Sequence, residues 1–127
     1  QLGLHVHVVD DVTTPNIQRG DLLLIGSASG RTASLIRYAE SAPSVGALVG
    51  TITSDPTSPI AASADYVVTI PAGNFKSAAQ SGSRSVLLMG SLFEHSLGLL
   101  ADLIIIQLAA ALNVSEEEMN SRHANLE

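Results

Sequence analysis

A short run of small and hydroxyl-bearing residues is the first feature of the sequence that could bind an anion. Residues 26–32, with the sequence GSASGRT, join an apolar stretch to a segment of helical periodicity. A helix N-terminus exposes unpaired N–H groups and a partial positive charge, so such a junction attracts phosphate. Ser27, Ser29 and Thr32 add hydroxyl donors, and Gly30 allows close backbone approach. The run is neither a Walker loop nor a dinucleotide fingerprint; the alternative is a Ser that only caps the helix.

Glu94 is the second candidate, because it stands near the start of a segment, 91–112, that is otherwise almost wholly apolar. A carboxylate beside a sugar carbon can act as a general base and move a proton through an enediolate. We expect the apolar surroundings to leave this carboxylate partly desolvated. The alternative is an acidic residue that the helix dipole favours at this position.

The four histidines are the remaining candidates. His5 and His7 share one face of a predicted strand, but no third ligand is evident, so we predict no metal site. His95 follows Glu94 and points elsewhere on the helix. His123 lies in a polar tail, where it is solvent-exposed unless an oligomer interface carries it into a neighbour's active site.

Composition narrows the class of protein. The 127 residues suit one domain with one core, and 46% hydrophobic against 3% aromatic residues indicates a core of Ala, Val, Ile and Leu. A net charge of −6 argues against nucleic acid as a partner. The absence of cysteine excludes disulfides and thiolate metal sites, and fits a cytoplasmic protein.

The ends and the most apolar stretch bear on localisation. Residues 97–112 contain Asp102 and Gln107 and are fewer than the ~20 that a membrane span needs, so we predict a buried helix and no membrane partner. The start has no basic region typical of a signal peptide. Because the sequence begins without Met at what looks like a strand edge, we expect an N-terminal piece to be absent.

Apolar runs alternate with helical periods along the chain. The predicted strands are residues 4–9, 21–26, 47–53 and 66–70. The predicted helices are residues 31–42, 60–64, 91–112 and a last one that Ser115 and Glu118 open as a capping box. Residues 71–88 are predicted as a loose segment rich in Ser, Gly and Ala.

This alternation predicts one α/β domain, residues 1–127, with a parallel sheet. The apolar run 21–25 is typical of a strand buried on both faces. Since such sheets bind ligands at the carboxyl ends of their strands, three loops are candidates for the site: 10–19, 27–32 and 53–59.

Several segments together resemble the sugar isomerase (SIS) family. The matching stretches are VHVV at 6–9 with TTP at 13–15, GDLLLIGS at 20–27, SGRT at 29–32, AD at 64–65, MGSLFE at 89–94 and RHANLE at 122–127. The Ser-rich loop marks the family generally, whereas the HANLE ending after the LFE helix is much more specific. The resemblance covers essentially the whole chain.

The resemblance implies a flavodoxin-like three-layer sandwich and the interconversion of D-arabino-3-hexulose 6-phosphate and fructose 6-phosphate. That reaction belongs to formaldehyde fixation by the ribulose monophosphate pathway. It also implies a cytoplasmic homotetramer with neither metal nor organic cofactor. Glu94 aligns with the proposed base, and His123 is the next candidate. The phosphate site would comprise Ser27, Ser29, Gly30, Arg31 and Thr32.

Three departures from the family pattern stand out. Ala28 replaces a usual Gly, and its methyl group would hinder the backbone if that position needs a positive φ. Leu87 and Leu88 replace a usual Gln-Pro. Relatives carry an N-terminal helix, a first strand and a Gly-Arg-Ser-Gly loop before the point where this sequence begins, so residues 4–9 would lack their neighbouring strand.

Two other functions remain open. SIS domains also serve as phosphosugar-sensing modules of transcription regulators, and other members isomerise other sugar phosphates. A sensor would have less need of Glu94. The apolar character of 91–112 nearly all round the helix predicts an oligomer in either case.

Overall fold

The chain's structure is a computed structural model that describes residues 1–72, 87 and 90–126. Its strands are β1 (Leu22–Gly26), β2 (Leu48–Thr53) and β3 (Tyr66–Thr69). Its helices are α1 (Ala33–Ser41) with a 3₁₀ turn (Ala42–Val45), the single turn α2 (Pro59–Ala62), the long α3 (Ser91–Leu112) and α4 (Glu116–Ser121).

The described residues form two compact units. Residues 16–98 carry the sheet, and residues 1–15 with 99–127 form the other unit. That the whole chain is one domain stays a prediction.

The three strands form a parallel sheet in the order β1-β2-β3. Leu22 pairs with Leu48, and Gly50 pairs with Tyr66. The parallel α/β arrangement predicted for residues 21–26, 47–53 and 66–70 is therefore confirmed. Because all the strands point the same way, the loops that follow β1 and β2 meet at one edge of the sheet.

Helices cover one face of the sheet. Burial alternates along β1, where Leu23 and Ile25 point inward. Val49 of β2 joins them, together with Ala39 of α1 and Ile60 of α2. The small Ala39 lets α1 approach the strands closely, and both Val49 and Ile60 are fully buried.

The opposite face of the sheet meets the beginning of α3. Gly26 shares this face with Leu22 and Leu24, and a Cβ built on Gly26 would lie 2.9 Å from a methyl group of Leu97. The order helix, sheet, helix that the three-layer prediction requires is present there. Leu22 and Leu24 are exposed within the described chain, so the burial on both faces expected for β1 is not found at these two residues.

The strand predicted at residues 4–9 is wrong. These residues take no regular secondary structure, and positive φ angles at Gly3 and Asp10 bracket them. Asp11 N donates to Val8 O at 3.2 Å, and the Thr14 hydroxyl also donates to that carbonyl, so the backbone turns here. The alternating His and Val residues favour an extended chain, but a strand requires a hydrogen-bonded neighbour. Within the described residues the segment has none.

The long helix α3 begins and ends at the predicted residues, but its predicted burial is wrong within the described chain. Phe93 is its one buried residue, whereas Leu99 is 68% and Ile106 61% exposed. No described segment covers this apolar surface. By length and composition alone, α3 is long and apolar enough to cross a membrane. The core helices of some soluble proteins meet the same criterion.

The shorter predicted helices differ from the structure by one or two residues at their ends. The first helix begins at Ala33, and α2 covers residues 59–62. The capping box is confirmed, because Ser115 Oγ accepts from Glu118 N at 3.1 Å and Glu118 Oε2 accepts from Ser115 N at 2.9 Å. The loose segment predicted at 71–88 lies largely outside the described residues.

Candidate active site

The Ser-rich loop follows β1 at the carboxyl edge of the sheet, as predicted. Ser27 N donates to Ile52 O at 2.9 Å, which extends the pairing with β2 by one residue. Ser27 is buried, and its carbonyl and hydroxyl oxygens each accept from Gly30 N at 3.2 Å. Gly30 itself has a φ of 59°, a conformation that L side chains rarely adopt. The loop is therefore a closed turn that delivers the chain to α1.

The N-terminus of α1 carries no side-chain cap. Thr32 occupies the capping position with extended backbone angles, yet its hydroxyl makes no capping hydrogen bond. The corresponding residues of α2 and α4, Ser58 and Ser115, do cap their helices. The first N–H groups of α1 thus lack the partner that a capping hydroxyl would supply, which suits an anion.

A second loop, residues 54–58, and the residues that flank it donate hydrogen bonds to the backbone of the first loop. Ser54 N donates to Ala28 O at 3.0 Å, and Thr53 Oγ1 donates to the same carbonyl at 3.2 Å. Ile60 N donates to Gly30 O at 3.3 Å. Two of the three loops selected from sequence therefore meet, and the backbone of one is fixed to the other.

Arg31 joins the two loops through an ion pair. Its Nη2 lies 3.0 Å from Asp55 Oδ2. Asp55 Oδ1 in turn accepts from Thr57 N at 2.9 Å and from Thr57 Oγ1 at 2.7 Å. These bonds from Thr57, followed by the bond from Arg31, lower the pKa of the Asp55 carboxyl. Asp55 was not predicted as a site residue, although an Asp-Pro-Thr run after a strand is a recognisable turn in which the carboxylate accepts from its own backbone.

Ala28 fits the loop without strain. It is not among the described residues that have a positive φ. The methyl group that replaces the usual hydrogen therefore meets no backbone penalty. Its carbonyl holds the second loop through the bonds from Ser54 and Thr53, so this departure from the family pattern leaves the turn intact.

Glu94 stands in the first turn of α3 in the same unit as the Ser-rich loop. The neighbouring Phe93 is buried, and Leu97, one turn further on, contacts the site of Gly26 just before the loop. Glu94 itself is exposed, so the partial desolvation expected for its carboxylate is wrong within the described chain. Phe93 and Leu97 lie on the inner face of α3, and Glu94 lies at the border of that face, where its side chain is exposed. Met89, which precedes it in the matching motif, lies outside the described residues.

The histidines are all exposed. His123 follows α4 in the unit formed by residues 1–15 and 99–127, and its Nδ1 lies 3.0 Å from Ala124 O. His95 Nδ1 lies 2.7 Å from Ser91 O on its own helix. His5 and His7 sit in the segment that forms no strand. Among the described residues no group of three or more acidic or His side chains could hold a metal ion.

The third candidate loop, residues 10–19, is divided between the two units, and its part in the sheet unit, residues 16–19, does not join the site. Its choice rested on the strand at 4–9, which the structure lacks. Residues 16–19 instead line a concavity of about 600 Å³ with Val45. These residues precede β1 and β2, so the concavity lies at the amino edge of the sheet, away from the Ser-rich loop.

The chain is similar to proteins of one known family. Residues 2–97 match the profile of the SIS domain. The chain is 43% identical to 3-hexulose-6-phosphate isomerase of Mycobacterium gastri over 98% of its own length, and 38% identical to the Bacillus subtilis (strain 168) protein of that name over 99%. It spans 62% and 68% of the lengths of these two relatives.

A solved structure gives the same answer for the fold. The chain superimposes on a hypothetical protein from Methanococcus jannaschii, whose structure was taken to infer the molecular function of 3-hexulose-6-phosphate isomerase. The TM-score is 0.82 at 28% identity, over 99% of this chain and 66% of the other. The predicted fold class is thereby confirmed. The SIS profile spans the sheet and the loops described above. This chain therefore belongs to the SIS domain family.

Proposed function

We propose that this protein is a sugar-phosphate isomerase that interconverts D-arabino-3-hexulose 6-phosphate and fructose 6-phosphate in the cytoplasm, as a step of formaldehyde fixation. The observation that carries the proposal is the uncapped N-terminus of α1 behind the Ser-rich loop. Leu97, which lies on the same helix as Glu94, packs against Gly26 just before that loop. The 43% identity with a protein named 3-hexulose-6-phosphate isomerase supports the choice of substrate.

The phosphate of the substrate binds at the Ser-rich loop. The hydroxyl groups of Ser29 and Thr32 donate to its oxygens, and the helix dipole of α1 favours its negative charge. Ser27 closes the turn through its bonds with Gly30 N, and Arg31 contributes a permanent positive charge beside the loop. These residues fix one end of the sugar and leave C2 and C3 for the reacting groups.

Glu94 is the general base of the proposed reaction. The substrate has its carbonyl at C3 and its phosphate on O6, so no free hydroxyl closes an unstrained ring and the sugar reacts as an open chain. The base takes the proton from C2, the C2–C3 enediolate forms, and a proton is returned to C3 while the hydroxyl proton passes from O2 to O3. Donors near the two oxygens stabilise the enediolate. His123 of an adjacent subunit is the next candidate for this role. No metal or organic cofactor is needed for this chemistry.

A homo-oligomer, with a tetramer as the expected form, completes the proposal. The apolar surface of α3 supports it, since Leu99, Leu103 and Ile106 are each more than half exposed. A bilayer is a poor occupant of that surface, because Asp102 lies at the middle of the helix, where a charge costs about 2.5–3.5 kcal/mol. Solution scattering on the full-length protein measures the oligomeric state, and a monodisperse monomer would contradict a self-association surface.

The reaction itself is tested by following the full-length protein and D-arabino-3-hexulose 6-phosphate with ¹³C NMR. We expect fructose 6-phosphate to appear, and solvent deuterium to enter the product. Tight binding of fructose 6-phosphate without turnover would instead indicate a phosphosugar-sensing module. Turnover of a different sugar phosphate alone would keep the mechanism and replace the substrate.

A further inference from the structure

The ion pair between Arg31 and Asp55 connects the two loops at the carboxyl edge of the sheet. Arg31 directly follows the turn Ser27–Gly30, and Asp55 follows β2, 24 positions later in sequence. Arg31 is the more exposed partner, with 56% of its side chain exposed against 23% for Asp55. One Nη2–Oδ2 contact of 3.0 Å joins them.

Asp55 is held in place by hydrogen bonds other than the one to Arg31. Its Oδ1 accepts two hydrogen bonds from Thr57, which leaves Oδ2 for the guanidinium. The same bonds lower the pKa of the carboxyl, so Asp55 is charged at neutral pH. The backbone of its loop is also fixed, through the bonds that Ala28 O accepts from Ser54 and Thr53. The carboxylate thus occupies a defined position relative to the Ser-rich loop.

A guanidinium carries five N–H donors in a rigid fork, and the bond to Asp55 uses one of them. The others remain for a second acceptor. A free Arg side chain loses rotamer freedom when it binds a ligand, and a partner that already holds it reduces this loss. Asp55 also places a negative charge near the bound phosphate, which opposes binding. Whether Asp55 raises or lowers phosphate affinity therefore depends on which effect is larger.

We propose that Asp55 is a positioning residue, which holds the Arg31 guanidinium for the phosphate of the substrate and thereby raises phosphate affinity. This inference rests on the proposed function, because it assumes that the Ser-rich loop binds phosphate. The orientation of Arg31 outweighs the repulsion between Asp55 and the phosphate, because the pair is partly exposed and water screens the charge of Asp55. The guanidinium fork, in contrast, acts on the phosphate at hydrogen-bond distance.

The variant Asp55→Asn tests the inference in the full-length protein. Asn keeps an oxygen for the two bonds from Thr57 and loses the charged contact with Arg31. We expect the dissociation constants of inorganic phosphate and of fructose 6-phosphate, measured by calorimetry, to rise about two- to fivefold, with kcat unchanged. Glu40→Gln, which removes the same charge from an exposed position of α1, is the matched control and should leave both constants unchanged.

A double-mutant cycle shows whether Asp55 acts through Arg31. Arg31→Gln should weaken phosphate binding at least about tenfold, and adding Asp55→Asn to it should have no further effect. Tighter binding by Asp55→Asn would overturn the inference, as would an equal loss in both backgrounds. Because the cycle uses binding of inorganic phosphate, it reports on Asp55 even if the parent protein binds phosphate but fails to isomerise the sugar.

The variant Arg31→Lys is a second test. It leaves Asp55 in place, so its result does not depend on whether the Asp55 variants fold. Lys keeps the charge but replaces the planar fork by a point charge on a flexible stem. We expect phosphate affinity to fall although the ion pair can still form. Unchanged affinity would mean that charge alone matters, and the positioning role of Asp55 would be refuted.

Discussion

Gly30 packs directly against Ser58, the residue that caps α2. A Cβ built on Gly30 would overlap both the hydroxyl oxygen and the Cβ of Ser58, and would lie 3.4 Å from Thr53 Oγ1. Ser58 is fully buried and its hydroxyl accepts from Ala61 N at 3.3 Å, so it has no room to retreat. The Ser-rich loop therefore owes its shape to a close approach between the two loops, in which a hydrogen atom is the largest substituent that fits at Gly30.

We expect Gly30→Ala to destabilise the protein through two separate effects. A positive φ costs an L-residue about 1–2 kcal/mol, and overpacking against Ser58 adds roughly 1–3 kcal/mol. Gly20→Ala is the matched control, because Gly20 also has a positive φ but nothing lies within 4 Å of its Cβ position. Urea unfolding should show a larger loss for Gly30→Ala, and Ser58→Gly should restore part of it, since Gly in place of a capping Ser costs only a few tenths of a kcal/mol. Equal losses in the two alanine variants would contradict the steric account.

Replacing Ser29 and Thr32 together by Ala should raise KM for the sugar phosphate while the free energy of unfolding stays near that of the parent. Each lost hydrogen bond to a charged group costs roughly 1.5–3 kcal/mol of binding. The loss of stability is expected to be small, because Thr32 makes no capping bond and Ser29 Oγ accepts one exposed hydrogen bond, from Arg31 N at 3.3 Å.

Ser115→Ala is the complementary control for that double variant. Its hydroxyl caps α4, so its loss should cost about 0.5–2 kcal/mol of stability and leave KM alone. An unchanged affinity in the Ser29 and Thr32 variant would remove the Ser-rich loop from the site.

Glu94→Gln keeps the shape of the side chain and removes the proton acceptor. If Glu94 is the base, kcat should fall by a factor of about 10²–10⁴, with fructose 6-phosphate still bound. Solvent deuterium should enter the product of the parent enzyme and not that of the variant. A variant that isomerises at the parent rate would leave Glu94 as a helix-start residue, and His123→Asn would then be the next variant to measure.

Acid should weaken the folded state through Glu118. The backbone N–H of Ser115 donates to its carboxylate at 2.9 Å and lowers the pKa of Glu118 from its ordinary value of 4.5. A lowered pKa means that the unfolded chain binds the proton first, so the contribution is present above 4.5 and is lost as the pH falls through the folded value. Urea unfolding between pH 7 and pH 3 should show a shallower pH dependence for Glu118→Gln than for Glu117→Gln, which alters an exposed neighbour on the same helix. Identical slopes would count against the capping box as a source of acid sensitivity.

The parts of this fold that sequence predicted are those decided by local pattern. The apolar run before Gly26, the long helix from Ser91 and the capping box at Ser115 all follow from propensity and spacing over a few residues. The failure at residues 4–9 shows the limit of that reasoning. Val and His alternate there as in a strand, yet whether a strand forms depends on a partner that the segment cannot supply.

The candidate site divides in the same way. The hydroxyls of Ser27, Ser29 and Thr32 were predicted because they are adjacent in sequence to a helix start. The roles of Asp55 and Ser58 were missed, because each depends on how closely the second loop approaches Arg31 or Gly30 across the sheet edge. The exposure of Glu94 was mispredicted for a related reason: a helix that is apolar nearly all round does not indicate which face enters the core.

The strand order of the sheet has a consequence for how the chain folds. Each strand pairs with the next one in sequence, so the hydrogen bonds between strands close short loops. Asp65 Oδ2 accepts from Val49 N, 16 positions away, and Ile25 O accepts from Thr51 Oγ1, 26 positions away. Closing the shorter loop costs less chain entropy, so β2 and β3 can nucleate the sheet before β1 is recruited. The turn that would hold the phosphate directly follows β1 and is hydrogen-bonded to the loop after β2. This turn therefore forms only after the more distant of the two pairings, and the folding nucleus of the chain need not contain the candidate phosphate site at all.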